Sequence, residues 1–545
     1  MGVWSTPKLT SLLEGLEVRR VVGDPTVDVA GIAYHSGRVE PGYAFFCVRG
    51  FVADGHRFIP EAVRRGAAVL VVEGEAGLEL AREGLKDLGG PGGPGPEPPP
   101  AVVVLPDVRA AMGRAAANFY GHPSRRLRVI GVTGTNGKTT TTHLVWELLR
   151  AAGRRCGLIG TVKTVVGGRV LPAERTTPEA FDLQGLAARM VQAGDTHLSL
   201  EVGSHALVLG RVESFEFDTA VFTNLTQDHL DFHGDMESYF AAKARLFESL
   251  GRSYLDRPKA GPKAALLNAD DPYSSRLASL TRAPVVTYGL GTGGDLGRPS
   301  LWAGEVRLDR GRTSFLLKVR AGLGIGLPGP EAFERSVTLS LTGRHNVSNA
   351  LAALGAVLLE GLEPESAVEA LARVQGAPGR FETVDAGQPF LAVVDYAHTP
   401  DGLENVLEAA RALNPRRVIT VFGCGGDRDR TKRPLMGEVC GRLSDFCVVT
   451  SDNPRSEDPE AIIREITPGL KRLGLKEGRE YVVEPDRARA IRLAVEAAEP
   501  GDLVLVAGKG HETYQIFADR TIHFDDREVL REAIADRGKG AAGGF

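Results

Sequence analysis

Short apolar runs bounded by turn residues recur along the chain, and between them lie longer stretches with apolar positions at helical spacing. Residues 67–72, 101–105, 129–133, 197–202, 220–223, 391–395, 418–423, 446–450 and 503–507 read as strands. Residues 59–65, 139–152, 346–359 and 364–373 read as helices. Strands that alternate with helices predict parallel sheets of the α/β class. Gly- and Pro-rich segments interrupt the alternation. Residues 89–100 (GGPGGPGPEPPP) predict a linker or loop insertion, 289–299 and 322–330 predict hairpin or surface insertions, and 538–545 predict a frayed tail.

With 545 residues the chain is too long for one core. The breaks in the pattern predict three domains, residues 1–125, 126–376 and 377–545. A hydrophobic fraction of 43% and a charged fraction of 25% are those of ordinary globular protein. A net charge of −4 offers no global positive field for nucleic acid. The five cysteines are scattered without a CxxC pair, as expected of reduced thiols in a cytoplasm. No apolar run is long enough to span a bilayer, and the N-terminus lacks a signal-peptide pattern. These features predict a cytoplasmic protein that needs neither membrane nor nucleic acid.

The strand at 129–133 runs into Gly134-Thr135-Asn136-Gly137-Lys138-Thr139-Thr140 and then a helix. Glycines let backbone N–H groups turn onto phosphate oxygens, and the helix N-terminus adds positive potential. Lys138 is placed to reach the outer phosphates of ATP and the Thr139 hydroxyl to ligate Mg2+. Val132 stands where the usual phosphate loop has its first glycine. A second turn, Thr450-Ser451-Asp452-Asn453-Pro454-Arg455, follows the strand at 446–450. Open α/β sheets bind ligands at the carboxyl ends of their strands, and an Asp and an Arg fixed there can grip the two ends of an amino acid.

The form TGTNGKTT resembles the Mur ligase family and the related folylpolyglutamate synthetases. Further segments follow in the family's order: Glu201-Val202-Gly203-Ser204-His205, residues 223–231 (TNLTQDHLD), residues 239–243 (YFAAK), residues 343–350 (GRHNVSNA), Gly379-Arg380-Phe381-Glu382 and residues 395–401 (DYAHTPD). The resemblance implies a small N-terminal α/β domain, a central P-loop-type parallel sheet and a C-terminal Rossmann-like domain. It implies an ATP-dependent ligase that joins an amino acid to a carboxylate through an acyl phosphate. It also implies that Glu201 and His229 help hold Mg2+, that Asn346, Arg380 and Asp395 contact ATP, and that Lys243 is carbamylated by CO2 to become a metal ligand. Arg380 is expected to reach across from the third domain, so that domain closure assembles the site.

Residues 34–42 (YHSGRVEPG) resemble the uridine-nucleotide loop of tripeptide-forming family members. The family's Asp/Asn-Ser-Arg is here His35-Ser36-Gly37-Arg38, so Ser36 carries over and Arg38 stands one position late. By the same likeness Thr176, Thr177, Gly203 and Arg211 contact the muramoyl-dipeptide, with Gly203 replacing a common serine. Asp452-Asn453-Pro454-Arg455 resembles members that add meso-diaminopimelate, with Arg428, Gly508 and Glu512 completing the pocket. The extra carboxylate of diaminopimelate suits the fork of Arg455, which lysine would leave unpaired at a cost of roughly 1–3 kcal/mol. The implied substrates are therefore ATP, UDP-N-acetylmuramoyl-L-Ala-D-Glu and meso-diaminopimelate, acted on by a monomer. The rivals are the same reaction with L-lysine, a folylpolyglutamate synthetase, and a P-loop ATPase or binding module without ligase activity.

Overall fold

The computed structural model describes residues 6–50, 53–89, 98–256, 259–291, 294–309, 312–324, 331–374 and 376–542. Three large sheets organise the described residues in sequence order, with a two-stranded sheet of Tyr514–Ile516 and Thr521–His523 after the third. The first has five strands in the order Arg20–Val22, Ala101–Leu105, Val69–Glu73, Tyr43–Phe46, Gly31–Ala33. All pair in parallel except Arg20–Val22, an antiparallel edge. Val69, Leu70, Val71 and Val72 are all fully buried, so both faces of that strand lie under helices.

The central sheet has eleven strands. Its parallel middle runs Val285–Gly289, Ala264–Asn268, Thr219–Phe222, Arg128–Thr133, His197–Glu201, Cys156–Ile159. Helices Lys138–Ala151 and Arg344–Leu359 lie together on one face and bury Leu144, Val145, Leu148, Val347, Leu351 and Leu354 in a single core. Arg344–Leu359 is apolar nearly all round and is buried nearly all round. On one side Leu301–Asp309 joins Val285–Gly289 in parallel and leads into the antiparallel strands Arg312–Val319 and Phe333–Leu339; on the other, Thr164–Val166 and Arg169–Leu171 extend the edge antiparallel.

The third sheet has six strands, Glu382–Thr383, Leu391–Asp395, Leu503–Ala507, Val418–Phe422, Phe446–Val449 and Tyr481–Val483. Only Glu382–Thr383 is antiparallel. Side-chain caps fix where several helices start. Asp235 accepts from the Ser238 N–H at 2.7 Å ahead of Met236–Ser249, and Thr399 accepts from the Gly402 N–H at 3.1 Å ahead of Pro400–Arg411.

The predicted strands and helices are present to within two residues at each end. Helix Gly74–Gly89 and the antiparallel extensions were not foreseen. Of the predicted insertions, residues 90–97, 292–293 and 325–330 lie outside the described residues, as do 543–545 of the tail. The frayed tail expected from Gly538 is corrected for its described part: helix Asp526–Ala542 includes residues 538–542.

Candidate active site

Parallel pairing of His197–Glu201 with Arg128–Thr133 sets Glu201 opposite Val132, at the carboxyl edge beside the glycine-rich loop. Gly134 has φ +152°, and a Cβ there would fall on the Thr223 hydroxyl, so the loop admits only glycine. Gly137, at φ +81°, precedes the first turn of Lys138–Ala151. Lys138 Nζ lies over the loop, donating to the carbonyls of Gly134 (2.9 Å) and Thr135 (2.7 Å). Thr139 Oγ1 donates to Glu201 Oε2 at 3.0 Å and accepts from Arg380 Nη2 at 3.2 Å. Arg380 therefore reaches the start of helix Lys138–Ala151 from the third region, and Asp401 crosses between the same regions by accepting from Asn136 and Thr226.

Thr161 was missed. Its N–H donates to Glu201 Oε1 (2.9 Å), its hydroxyl donates to Glu201 Oε2 (3.0 Å), and the hydroxyl also lies 3.0 Å from Thr176 Oγ1. A chain of hydrogen bonds thus runs Thr139–Glu201–Thr161–Thr176, from the phosphate loop to the Thr-Thr-Pro segment. A threonine two residues past a strand carries no signal in one sequence.

Lys243 sits on helix Met236–Ser249, 1% exposed, with Nζ donating to Gly134 O at 2.7 Å and 4.5 Å from the Tyr239 ring centroid. Burial, and then the nearby Lys138 charge, hold its amine well below the usual lysine range. His229, at φ +56°, starts the short helix Leu230–His233 and lies 3.2 Å from Asp228 Oδ2. Burial pushes its imidazole down to about 3, so it stands neutral. Its ring packs edge-on against His205, 4.8 Å between centroids, and Ser204 Oγ lies 2.9 Å from His233 Nε2. His205, His233 and Asp228 had not been singled out.

A cavity of about 150 Å³ lies between the central and third sheets, lined by Asn136, Gly137, Thr140, Asn346, Arg380 and Asp395 among others. Asn346 donates to Thr342 O at 2.8 Å and accepts from Asn349 Nδ2 at 3.2 Å. Both Asp395 oxygens are engaged by backbone, accepting from the N–H groups of Phe381 and Ala397 at 2.7 Å each. Asp395 therefore pins Phe381, at φ +47°, and with it the neighbouring Arg380.

A larger cavity of about 610 Å³ lies between the first sheet and helix Ala180–Ala193, lined by Tyr34, Arg38, Arg175, Glu179, Asp182 and Arg189 among others. Tyr34 OH and Arg38 Nη1 both donate to Asp182, at 2.7 and 3.0 Å. Ser36 is not among the lining residues, and its hydroxyl donates to Glu61 at 2.7 Å. Arg211 donates to Thr177 O (3.2 Å) and pairs with Glu179 (2.8 Å). Thr177 in turn donates to Glu201 O at 2.8 Å and accepts from the Gly203 N–H at 3.1 Å. A Cβ on Gly203 would meet nothing nearer than Thr177 Oγ1 at 3.8 Å, so a serine fits there.

In the third sheet, the turn after Phe446–Val449 meets the loop after Leu503–Ala507. Gly508 has φ +119°, and a Cβ there would lie 2.5 Å from Asp452 Oδ2. Asn453 Nδ2 donates to Glu512 Oε2 at 2.8 Å. Arg455, at φ +53°, donates from its backbone to Ile516 O (3.0 Å) and from Nη1 to Gly426 O (2.7 Å). Arg428 is exposed and donates to Asp427 O at 3.0 Å. Behind this cluster, the fully buried Arg487 pairs with Asp526 (2.7 Å) and donates to Ser451 O (3.2 Å) and Ala507 O (2.9 Å), tying the two strand ends together. Replacing Arg487 with methionine leaves Asp526 charged and unpaired, and is expected to cost about 3–5 kcal/mol in urea unfolding. A loss under about 1 kcal/mol, the worth of an exposed pair, would contradict the clamp.

Three family models match in sequence order. "Mur ligase family, catalytic domain" covers residues 28–120, "Mur ligase middle domain" 132–357 and "Mur ligase, glutamate ligase domain" 379–510. A UDP-N-acetylmuramoyl-L-alanyl-D-glutamate–2,6-diaminopimelate ligase of Geobacillus thermodenitrificans is 46% identical over 97% of this chain and 99% of its own. One of the same name from Syntrophomonas wolfei is 43% identical over 98% and 99%. A solved structure of a ligase of that name superposes with a TM-score of 0.63 at 30% identity, covering 98% of this chain and 99% of the other. A folylpolyglutamate synthase of Mycobacterium tuberculosis shares the fold over 79% of this chain, with a TM-score of 0.57 at 18% identity. The chain belongs to the Mur ligase family.

Proposed function

We propose that this chain is the ATP-dependent ligase that joins meso-diaminopimelate to the D-glutamate carboxylate of UDP-N-acetylmuramoyl-L-Ala-D-Glu, a step in making peptidoglycan precursors. The observation that carries the reading is full-length likeness, at 46% identity, to ligases named for that reaction. The geometry supports it, because the phosphate loop is linked through Thr139, Glu201, Thr161 and Thr176 to the segment assigned to the nucleotide-sugar, and through Thr139 to Arg380 of the third domain. We assign residues 1–125 to the nucleotide-sugar, 126–376 to ATP and 377–545 to the amino acid. The 610 Å³ cavity suits the nucleotide-sugar and the 150 Å³ cavity suits part of ATP.

The donor set suits Mg2+. Thr139 Oγ1 and Glu201 offer hard oxygen ligands, with His229 close to Asp228. Magnesium, when bound, would neutralise charge on the phosphates. Lys138 is placed to leave its loop carbonyls for the γ-phosphate, and Arg380 approaches the same point from the third domain. The substrate carboxylate attacks that phosphate to give an acyl phosphate and ADP. The amine of diaminopimelate then attacks the acyl carbon, phosphate leaves, and an amide forms.

A buried lysine whose amine is neutral at ordinary pH can add CO2 to give a carbamate and a proton. Burial and the nearby Lys138 charge shift Lys243 toward that neutral form, and the carbamate would add oxygen ligands to the set. Replacing Lys243 with alanine is expected to lower kcat about 10- to 100-fold. Isotope-labelled CO2 should give an NMR signal in the parent protein and none in the variant. A variant with full activity and the same signal would refute the assignment. We place the enzyme in the bacterial cytoplasm as a monomer. Among the described residues no helix is long and apolar enough to cross a membrane. The test of the reading as a whole is phosphate release from ATP: it should require both the nucleotide-dipeptide and the amino acid, and release with ATP alone would favour a simple ATPase.

A further inference from the structure

Lys509 belongs to no site assigned so far, yet its side chain is 0% exposed at the wall of the amino-acid region. It occupies the turn after Leu503–Ala507, in which the Glu512 N–H donates to Lys509 O at 2.9 Å. Its Nζ donates to Asn453 Oδ1 at 3.1 Å and to Glu512 Oε2 at 2.8 Å, and lies 5.4 Å from the Tyr514 ring centroid. Burying an ammonium is costly unless it is paired, so these contacts must hold it there.

The contacts also determine how two neighbours face. Asn453 Oδ1 accepts from Lys509 and from the Ile516 N–H (3.1 Å), both of which can only donate. The Asn453 amide therefore has one orientation, with Nδ2 directed at Glu512 Oε2. Glu512 Oε2 receives both the Asn453 and the Lys509 bonds, which leaves Oε1 as the oxygen for a ligand cation. Without Lys509, Asn453 retains a single donor at Oδ1 and the Glu512 carboxylate is held by the Asn453 amide alone.

We propose that Lys509 is a positioning residue for the incoming diamino acid: it aims Glu512 Oε1 at the substrate ammonium and locks the Asn453 amide. This rests on the assignment of this loop to the amino acid. Lys509 acts through Glu512, so its loss falls on amino-acid binding and leaves ATP binding alone.

The test compares Lys509→Met, which keeps the stem and removes the donors, with Lys509→Arg, Glu512→Gln and the Lys509→Met/Glu512→Gln double variant. KM is read separately for meso-diaminopimelate and ATP. Lys509→Met should raise the diaminopimelate KM about 10- to 100-fold, as expected for charge-assisted hydrogen bonds, with the ATP KM unchanged. The double variant should bind diaminopimelate no more weakly than Glu512→Gln alone. An unchanged diaminopimelate KM, an equal rise in both KM values, or fully additive losses would each overturn the proposal. If Lys509→Met does not fold, Lys509→Arg carries the test: a bulkier planar donor should raise the diaminopimelate KM alone, and an unchanged KM overturns the proposal. Failure of the parent enzyme to use diaminopimelate would instead overturn the functional assignment beneath it.

Discussion

Lys138→Met is expected to lower kcat about 100- to 1,000-fold, the usual cost of removing one preorganised donor from a transition-state charge. The fold should survive, because Lys138 is half-buried and donates only to the loop carbonyls of Gly134 and Thr135, the first of which also accepts from Lys243. Single-turnover phosphate release, with all substrates saturating, checks this. A variant that binds ATP normally but forms no acyl phosphate matches the expectation. A variant with normal kcat and a raised ATP KM would mean that Lys138 serves ground-state binding only.

Arg455→Ala is expected to cost about 2–5 kcal/mol of diaminopimelate binding, the range for truncating one partner of a buried charge pair. In kcat/KM that is roughly 30- to several-thousand-fold. The left-handed backbone at Arg455 and the bond from Nη1 to Gly426 O hold the guanidinium against the loop 425–430, which pre-pays part of its ordering. Lysine has no distal carboxylate, so its poor turnover should change little in the same variant. Steady-state kinetics with both amino acids would separate the cases. Equal losses for diaminopimelate and lysine would mean that Arg455 only shapes the loop.

How much of this was legible from the residues depends on how local the cause is. The glycine-rich loop could be read because Gly134 and Gly137 leave a backbone signature and Lys138-Thr139 leave a chemical one. The strands at 391–395 and 503–507 could be read because buried parallel strands are continuous apolar runs. Arg380 at Thr139 is different. The residues are 241 apart, and only likeness to a family suggested the contact. Thr161 escaped altogether, since its role depends on the parallel register that brings Glu201 beside it.

The same limit explains Asp395 and Lys509. Asp395 was expected at ATP; it lines the 150 Å³ cavity between the sheets, and its oxygens are occupied by the backbone of Phe381 and Ala397. Lys509, inside the glycine-rich stretch Gly508-Lys509-Gly510-His511-Glu512, carries no local signal of its partners. Only the packed loop shows it pointing at Asn453 and Glu512. Charged side chains announce that they need partners, but which partner is a property of the fold.

Mass spectrometry of the product formed from UDP-N-acetylmuramoyl-L-Ala-D-Glu and ATP, offered meso-diaminopimelate and L-lysine in competition, tests the central claim most directly. Tripeptide carrying diaminopimelate alone is the predicted result. Lysine incorporated as readily as diaminopimelate would contradict the reading of Asp452-Asn453-Pro454-Arg455, and no adduct with either would contradict the ligase itself.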